Sequence, residues 1–166
     1  MAENLTKEEI DERIAVLRRF KKLLEEQRNK FKEYLFVLEN QQDKIETEDA
    51  DALYAHTRLE EQIVSSISNL QKVIVPMQKL YDSFPQNSSV SKNNEDTTEV
   101  KKIQFDLAEL RKQVLAQNEK NRNLLKIHIG NVREKLSELS AQNPYRGRRS
   151  VYAERPHSGT MITIEA

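Results

Sequence analysis

Residues 10–45 read IDERIAVLRRFKKLLEEQRNKFKEYLFVLENQQDKI, with apolar side chains recurring at alternating steps of four and three. Of the eleven positions that these steps reach from the first isoleucine, eight are apolar. This spacing places them along one side of a helix, where they form a packing seam. Further apolar residues widen the seam, namely Phe20, Leu23, Tyr34 and Val37. The stretch therefore predicts a long helix that packs against more than one neighbouring helix.

Signals for the ends of this helix lie on either side of the seam. Thr6 is followed three residues later by Glu9, the spacing of a capping box, so we expect the helix to begin there. Between residues 46 and 52 the apolar pattern lapses into an acidic stretch, in which Thr47 or Asp49 can cap a second helix. A tight hairpin fits this pattern. No glycine or proline enforces the turn, however, and a continuous helical rod remains the alternative.

A second seam follows the acidic stretch and consists of apolar residues at the same helical spacing. Pro76 lies inside it. Because proline costs about 3 kcal/mol in a helix interior and removes a hydrogen bond, we expect a kink or break near residues 73–76. The seam is formed by Ile63, Ile67, Leu70, Ile74, Met77, Tyr81 and Phe84.

The sequence after the second seam is polar, and residues 85–98 predict a mobile linker. Asp96 and Glu99 repeat the capping-box spacing and predict the start of a third helix. Amides between residues 117 and 121 interrupt the apolar seam of this helix, which then resumes with a shifted phase. We expect these amides to weaken its packing against the other helices. The apolar positions are Val100, Ile103, Leu107, Leu110, Val114, Leu125, Ile129, Val132, Leu136 and Leu139.

Together these patterns predict an all-α fold, in which a long antiparallel helical hairpin and a third helix form a three-helix bundle with coiled-coil-like seams. The composition agrees, because 27 Lys+Arg, 27 Asp+Glu and only 3 Gly among 166 residues are typical of long helices. One helical domain, residues 1–140, is followed by a flexible tail, residues 142–166. The predicted helices span about 6–46, 49–83 and 97–141.

Residues that could carry catalysis or bind a metal are sparse and scattered. The chain has no cysteine, and its three histidines have no partner at a recognisable ligand spacing. It also lacks a glycine-rich phosphate loop and a nucleophile elbow. We therefore expect a protein that is not an enzyme and needs neither a cofactor nor a metal. His128 is interpreted as a partly buried packing residue of the third helix.

Two basic clusters, residues 18–22 and residues 146–149, raise the question of nucleic-acid binding. Acidic residues lie close to both, and the formal net charge is zero, so we interpret them as ordinary solvated surface and expect no nucleic-acid partner. The apolar runs are far shorter than a membrane-spanning helix needs. The N-terminus lacks the apolar segment of a secretory signal peptide. The expected location is the cytoplasm, without membrane insertion.

The order and spacing of several segments give a more specific indication. Leu23–Gln27, Ile45–Leu53 and Asn118–Leu125 occur in succession, and the last leads into Val132 and Leu136–Leu139. The tail adds Tyr145 and Tyr152, a few glycines, and an apolar and acidic ending, Met161–Ala166. In this order the segments resemble the FlgN-type flagellar export chaperones.

That resemblance implies a cytoplasmic chaperone that binds the C-terminal helices of hook-associated junction proteins, prevents their premature assembly and delivers them to the export gate. Client segments that are disordered before assembly and later form coiled coils would bury their apolar side chains against an amphipathic surface. We expect the third helix to supply this surface through Val100, Ile103, Leu107, Leu110, Val114, Leu125, Ile129, Val132 and Leu136. The resemblance also suggests that a tail tyrosine docks on the cytoplasmic domain of the gate, with Tyr152 the first choice and Tyr145 the second.

A structural coiled-coil adaptor, which oligomerises through the same apolar helix faces, is the alternative function. In either case, a homodimer of the client-free protein would cover those faces.

Overall fold

The computed structural model describes residues 5–85 and 95–142. Within them the chain forms three helices and no strand, which confirms the all-α class and the predicted three-helix bundle. Each helix begins and ends within two residues of its predicted bounds. The helices are α1 (Lys7–Glu46), α2 (Ala50–Asp82) and α3 (Glu95–Gln142). Residues 95–98 are thus helical rather than linker, whereas the rest of the predicted linker beyond Pro85 and residues 143–166 lie outside the described residues.

The chain divides into two compact units, Met1–His128 and Ile129–Ala166, and α3 contributes residues to both. The bundle of α1, α2 and the first part of α3 belongs to the first unit. In the second unit, the described residues are 129–142, all of them helical.

The N-terminus of α1 carries the capping box that its sequence predicts. The Thr6 hydroxyl accepts a hydrogen bond from the Glu9 backbone N–H at 3.3 Å, and the Glu9 carboxylate accepts one from the Thr6 backbone N–H at 2.8 Å. Two backbone donors without helical partners are thereby satisfied. The hydrogen bond from the Thr6 backbone is also the main cause that lowers the pKa of Glu9.

A three-residue turn, Thr47 to Asp49, joins α1 to α2, so the alternative of a continuous rod is wrong. The Glu48 N–H bonds the Ile45 carbonyl at 3.1 Å, and the Asp49 N–H bonds the Lys44 carbonyl at 3.1 Å. This pair of bonds is a Schellman motif, and it requires the left-handed backbone that Glu48 adopts at φ 57°. Asp49 then caps α2 by accepting a hydrogen bond from the Ala52 N–H at 3.1 Å.

Side-chain pairs between helices establish their directions. Residue numbers fall along α2 as they rise along α1, so these two helices are antiparallel. Numbers rise together in α1 and α3, which are therefore parallel. The pairs are Gln27–Gln71 and Tyr34–Glu60 between α1 and α2, and Lys21–Asp96, Arg28–Asp106 and Gln42–Gln117 between α1 and α3.

Two apolar clusters form the core of the bundle, and all three helices contribute to each. The first comprises Leu17, Phe20, Leu24, Ile74, Val100, Ile103 and Leu107. The second comprises Tyr34, Val37, Leu38, Ile63 and Val114. Between the two clusters lies Gln27, which is 1% exposed and donates a hydrogen bond to Gln71 at 2.7 Å. That bond satisfies an amide that would otherwise be costly to bury.

The predicted seam of α1 and the residues that widen it supply most of the buried positions of this helix, and two buried positions were missed. Leu17, Leu24, Leu38 and Ile45 are buried as expected. Phe20, Tyr34 and Val37, which widen the seam, are buried too, and so are Gln27 and Gln41, which the apolar pattern did not include. Two of the true inward positions are glutamines, which an apolar pattern cannot reveal.

Helix α2 runs through Pro76 without a break, so of the two predicted alternatives, a kink or a break, the break is wrong. Proline leaves the carbonyl four residues earlier, that of Lys72, without its helical partner. Pro76 and Lys72 are both exposed and line an open groove. The start of α3 needs a correction too, because Asp96 lies inside the helix and does not cap it.

Candidate helix-binding surfaces

The nine third-helix residues that we expected to bind a client fall into three groups. Four lie in the core, where Val100, Ile103, Leu107 and Val114 are at most 6% exposed. Two, Leu110 and Leu125, are half-buried, and three, Ile129, Val132 and Leu136, are exposed. A client cannot contact the four core residues while α3 is packed, so a surface made of all nine does not exist in this fold. Sequence periodicity missed the distinction because both groups have the same spacing.

The amides of α3 attach it to α1 and do not weaken its packing, contrary to our expectation. Asn121 is 2% exposed and donates to the Leu38 carbonyl at 2.8 Å and to the Gln41 amide oxygen at 3.1 Å. Gln117 donates to Asn121 and to Gln42, both at 2.9 Å. A buried, satisfied asparagine of this kind fixes the register of packed helices.

Opposite charges also hold α3 beside α1. The Lys21 ammonium pairs with Asp96 at 3.1 Å and also with Glu99, while the Arg28 guanidinium pairs with Asp106 at 3.0 Å. The hydrogen bond that Lys21 donates to Glu99, followed by the one that it donates to Asp96, raises the pKa of Lys21. At the end of this seam, His128 Nδ1 lies 3.1 Å from a Glu48 carboxylate oxygen.

An open groove of about 790 Å³ lies among the three helices of the first unit. Its apolar lining includes Phe31 from α1 and Val64 and Val75 from α2. The charged residues that line it, Lys72 and Arg111, are both basic. The guanidinium of Arg111 lies over the Phe31 ring, 5.5 Å from the ring centroid. The Arg13 guanidinium lies over the Phe84 ring at a similar distance, 5.2 Å. The backbones of α1 and α2 approach each other closely at many positions, and α3 makes fewer such approaches to either helix.

A smaller cavity of about 260 Å³ adjoins this region and has a different lining. Four glutamines surround it together with Arg111 and a few aliphatic side chains. Amides of this kind are suited to hold water rather than an apolar ligand. The glutamines are Gln27, Gln71, Gln78 and Gln104.

In the second unit, α3 presents a row of large aliphatic side chains to solvent. Ile129 is 50% exposed, Val132 45%, Leu136 60% and Leu139 65%. Their spacing of three, four and three residues places them on one face of the helix. We call these four residues the 129–139 stripe. Leu139 belongs to the apolar pattern of the sequence but was not among the expected client-binding residues.

The remaining residues that the sequence analysis named either have a described position in the fold or lie outside the residues that the structure describes. Phe20, in the middle of the basic cluster 18–22, is fully buried, and Lys21 is paired with acids. Tyr145, Tyr152 and the cluster 146–149 lie outside the described residues. Across residues 5–85 and 95–142, no group of three histidines or carboxylates could hold a metal ion. In the same residues, no helix combines the length and apolarity needed to cross a bilayer.

These features define an all-α, three-helix bundle protein with exposed apolar helix surfaces. Over 157 residues the chain is 40% identical to an uncharacterized protein of Treponema pallidum (strain Nichols), a match that covers 95% of this chain and 94% of that protein. The chain belongs to the same family as this Treponema protein. No protein-family model matches the chain, and no solved structure matches it.

Proposed function

We propose that this protein is a cytoplasmic chaperone of flagellar type III export that binds the C-terminal helices of hook-associated junction proteins. It keeps these helices from assembling prematurely and delivers them to the export gate. Its work is binding rather than catalysis, and it uses no cofactor and no nucleic acid. The succession of segments that resembles the FlgN-type chaperones supports this proposal, as does the presence of an uncovered apolar helix face.

The 129–139 stripe is the observation that carries the proposal. Burial of an exposed aliphatic side chain contributes roughly 1.5–3 kcal/mol, so four half-exposed ones offer about half of that amount each to a partner. A groove or face of this kind recognises amphipathic helices through anchors at helical spacing. The client surface that we propose is therefore Ile129, Val132, Leu136 and Leu139.

The same stripe favours a second candidate function, that of a coiled-coil adaptor. An exposed row of aliphatic side chains can pair with the identical row of another copy, and the protein would then oligomerise without a client. The two functions differ in what covers the stripe, and this difference can be measured directly.

The test is to mix the full chain with a peptide of the C-terminal helix of a junction protein and to follow binding by titration calorimetry and sedimentation. We expect a complex of one chain with one peptide. Val132→Asp with Leu136→Asp should abolish it, because a buried unpaired charge costs several kcal/mol. The matched control is Phe105→Asp with Leu115→Asp, two residues of α3 that are 67% and 70% exposed and lie outside the stripe. Self-association without uptake of the peptide would instead support the adaptor.

Docking on the export gate is the part of the proposal that falls on the tail. A tyrosine flanked by Arg148, Arg149 and Arg155 offers a rigid aromatic anchor with a polar end, a residue type enriched at binding hot spots. Tyr152→Ala should weaken binding to the cytoplasmic domain of the gate and leave client affinity within about threefold. Tyr145→Ala is the second variant to test. If both variants, alone and together, bind the gate like the parent, the tail does not dock.

A further inference from the structure

The charges beside the 129–139 stripe indicate what kind of helix it binds. Ile129 and Leu136 take the a positions of a heptad, and Val132 and Leu139 take the d positions. Within the second unit, the flanking e and g positions are then residues 133, 135, 140 and 142. Arg133 and Lys135 occupy two of them, and Ser140 and Gln142 occupy the others. Every charged flanking position of the stripe is therefore basic.

The acids of the same segment lie elsewhere on the helix. Glu134 and Glu138 fall at the f and c positions, away from the stripe. Arg133 and Lys135 make no ion pair with any residue in the described ranges. In the sequence, the heptad position of Arg133 is held seven residues earlier by Lys126, another base. The stripe thus has basic edges whose charges are available to a partner.

We infer that the 129–139 stripe takes an amphipathic helix whose own flanking positions are acidic. The inference rests on the proposed function in treating the stripe as a helix-binding surface, and it adds the chemistry of the partner. The bundle follows the same rule, because the acids Asp96 and Asp106 on α3 meet the bases Lys21 and Arg28 on α1. Opposite charges at e and g positions select the partner of a coiled coil.

Charge also argues against the two occupants that the chain itself could supply. In an antiparallel pair of copies, e positions meet e positions and g positions meet g positions, so Arg133 and Lys135 would each lie close to the same base of the second copy. In a parallel pair, Lys135 would face Ser140 of the second copy, and the stripe offers no acid at an e or g position in either arrangement. Residues 143–166 contain four arginines and two glutamates, so this segment is basic as well. Like charges at such positions are destabilising, and an acid-flanked helix from another protein is the complementary occupant.

The experiment uses two synthetic helical peptides with identical leucine seams, one with glutamate and the other with lysine at every e and g position. The full chain should bind the glutamate peptide about tenfold more tightly than the lysine peptide. Each flanking base attracts the glutamates of the first peptide and repels the lysines of the second. Arg133→Glu with Lys135→Glu should reverse this preference. The matched control, Lys101→Glu with Lys102→Glu, makes the same change of net charge at exposed positions elsewhere on α3 and should keep it.

Several outcomes would overturn the inference. Equal binding of the two peptides, or tighter binding of the lysine peptide, would show that the basic edges do not select the partner. Self-association of the parent chain in the absence of peptide, measured by sedimentation, would identify a second copy as the occupant. The salt dependence of the parent gives an independent measure, since binding of the glutamate peptide should weaken as salt rises. If the glutamate peptide binds but a junction-protein peptide does not, the inference stands and the proposed function fails.

Discussion

Helix α3 has apolar side chains at heptad spacing in two parts of its length, residues 95–121 and residues 129–142, yet only the first part is covered. In the first part Val100, Ile103 and Leu107 are at most 3% exposed, and acids beside them pair with bases of α1. In the second part, Leu136 and Leu139 are 60% and 65% exposed, and the flanking charges are basic. The same pattern therefore serves as an internal core in one place and as a free surface in the other.

This difference shows which features of the sequence distinguish a core from a binding surface. Apolar residues at helical spacing indicate only that one face of the helix has to be buried against something. The charges beside that face carry more information, because they either match another helix of the same chain or match none. In the first part of α3 they match α1, whereas the bases Arg133 and Lys135 have no such match among the described residues.

The largest expected effect comes from truncating one leucine in each part. Leu107→Ala should lower the free energy of unfolding by about 2–5 kcal/mol, because it opens a cavity in the first core cluster. Leu136→Ala should change it by less than about 0.5 kcal/mol, since its side chain is already exposed. Urea denaturation followed by circular dichroism measures both. Equal losses in the two variants would mean that the stripe is covered in the free protein.

The next effect concerns the buried amide that attaches the first part of α3 to α1. Asn121→Ala leaves the Leu38 carbonyl and the Gln41 amide without their donor, and should cost about 1–3 kcal/mol of unfolding free energy. Asn123→Ala is the matched control, because Asn123 is an exposed asparagine of the same helix. A loss as small as that of the control would show that α3 is held by its apolar contacts alone.

Much of this fold follows from the sequence, and what does not follow has a physical cause. The helix bounds follow from caps and lapses in the apolar pattern, and Thr6, Glu9 and Asp49 behave as predicted. The inward positions of α1 were missed where they are glutamines, because Gln27 and Gln41 are buried by virtue of partners on other helices. Such partners become visible only when the helices are assembled.

The candidate surface could be predicted in part for the same reason. Ile129, Val132 and Leu136 were expected to be accessible and are exposed, whereas Val100 and Val114 have the same spacing and lie in the core. Which of these residues are buried depends on where α3 lies beside α1, and side-chain pairs such as Arg28–Asp106 set that position. Single-sequence periodicity does not contain these pairs.

Alkaline pH should weaken the bundle through a group of the second core cluster. Burial, and then the hydrogen bond to Glu60, raise the pKa of the Tyr34 phenol above its usual value. A raised pKa in the folded state gives stability that is complete below the unfolded pKa of about 10 and is lost as pH rises beyond it. One such group changes the unfolding free energy by up to about 1.4 kcal/mol per pH unit.

Tyr34→Phe should therefore make the decline above pH 10 less steep, as measured by urea denaturation at several pH values. Lys21 and Tyr81 also have raised pKa values, so part of the decline should remain. Tyr54→Phe is the control, because Tyr54 is 67% exposed. Parallel pH profiles for the parent and Tyr34→Phe would contradict this account of the second cluster.

The smallest expected effect concerns Gly130, which lies in the exposed part of α3. Glycine in a helix interior is less favourable than alanine by roughly 0.5–1 kcal/mol, and a Cβ at this position would meet no atom within 4 Å. Gly130→Ala should therefore slow hydrogen exchange of the amides at residues 131–142 by a few-fold and leave those of the bundle unchanged. Because this part of α3 has little packing to hold it, local helix propensity should decide how often it opens. Unchanged exchange at residues 131–142 would mean that contacts, and not propensity, hold the stripe in its helical form.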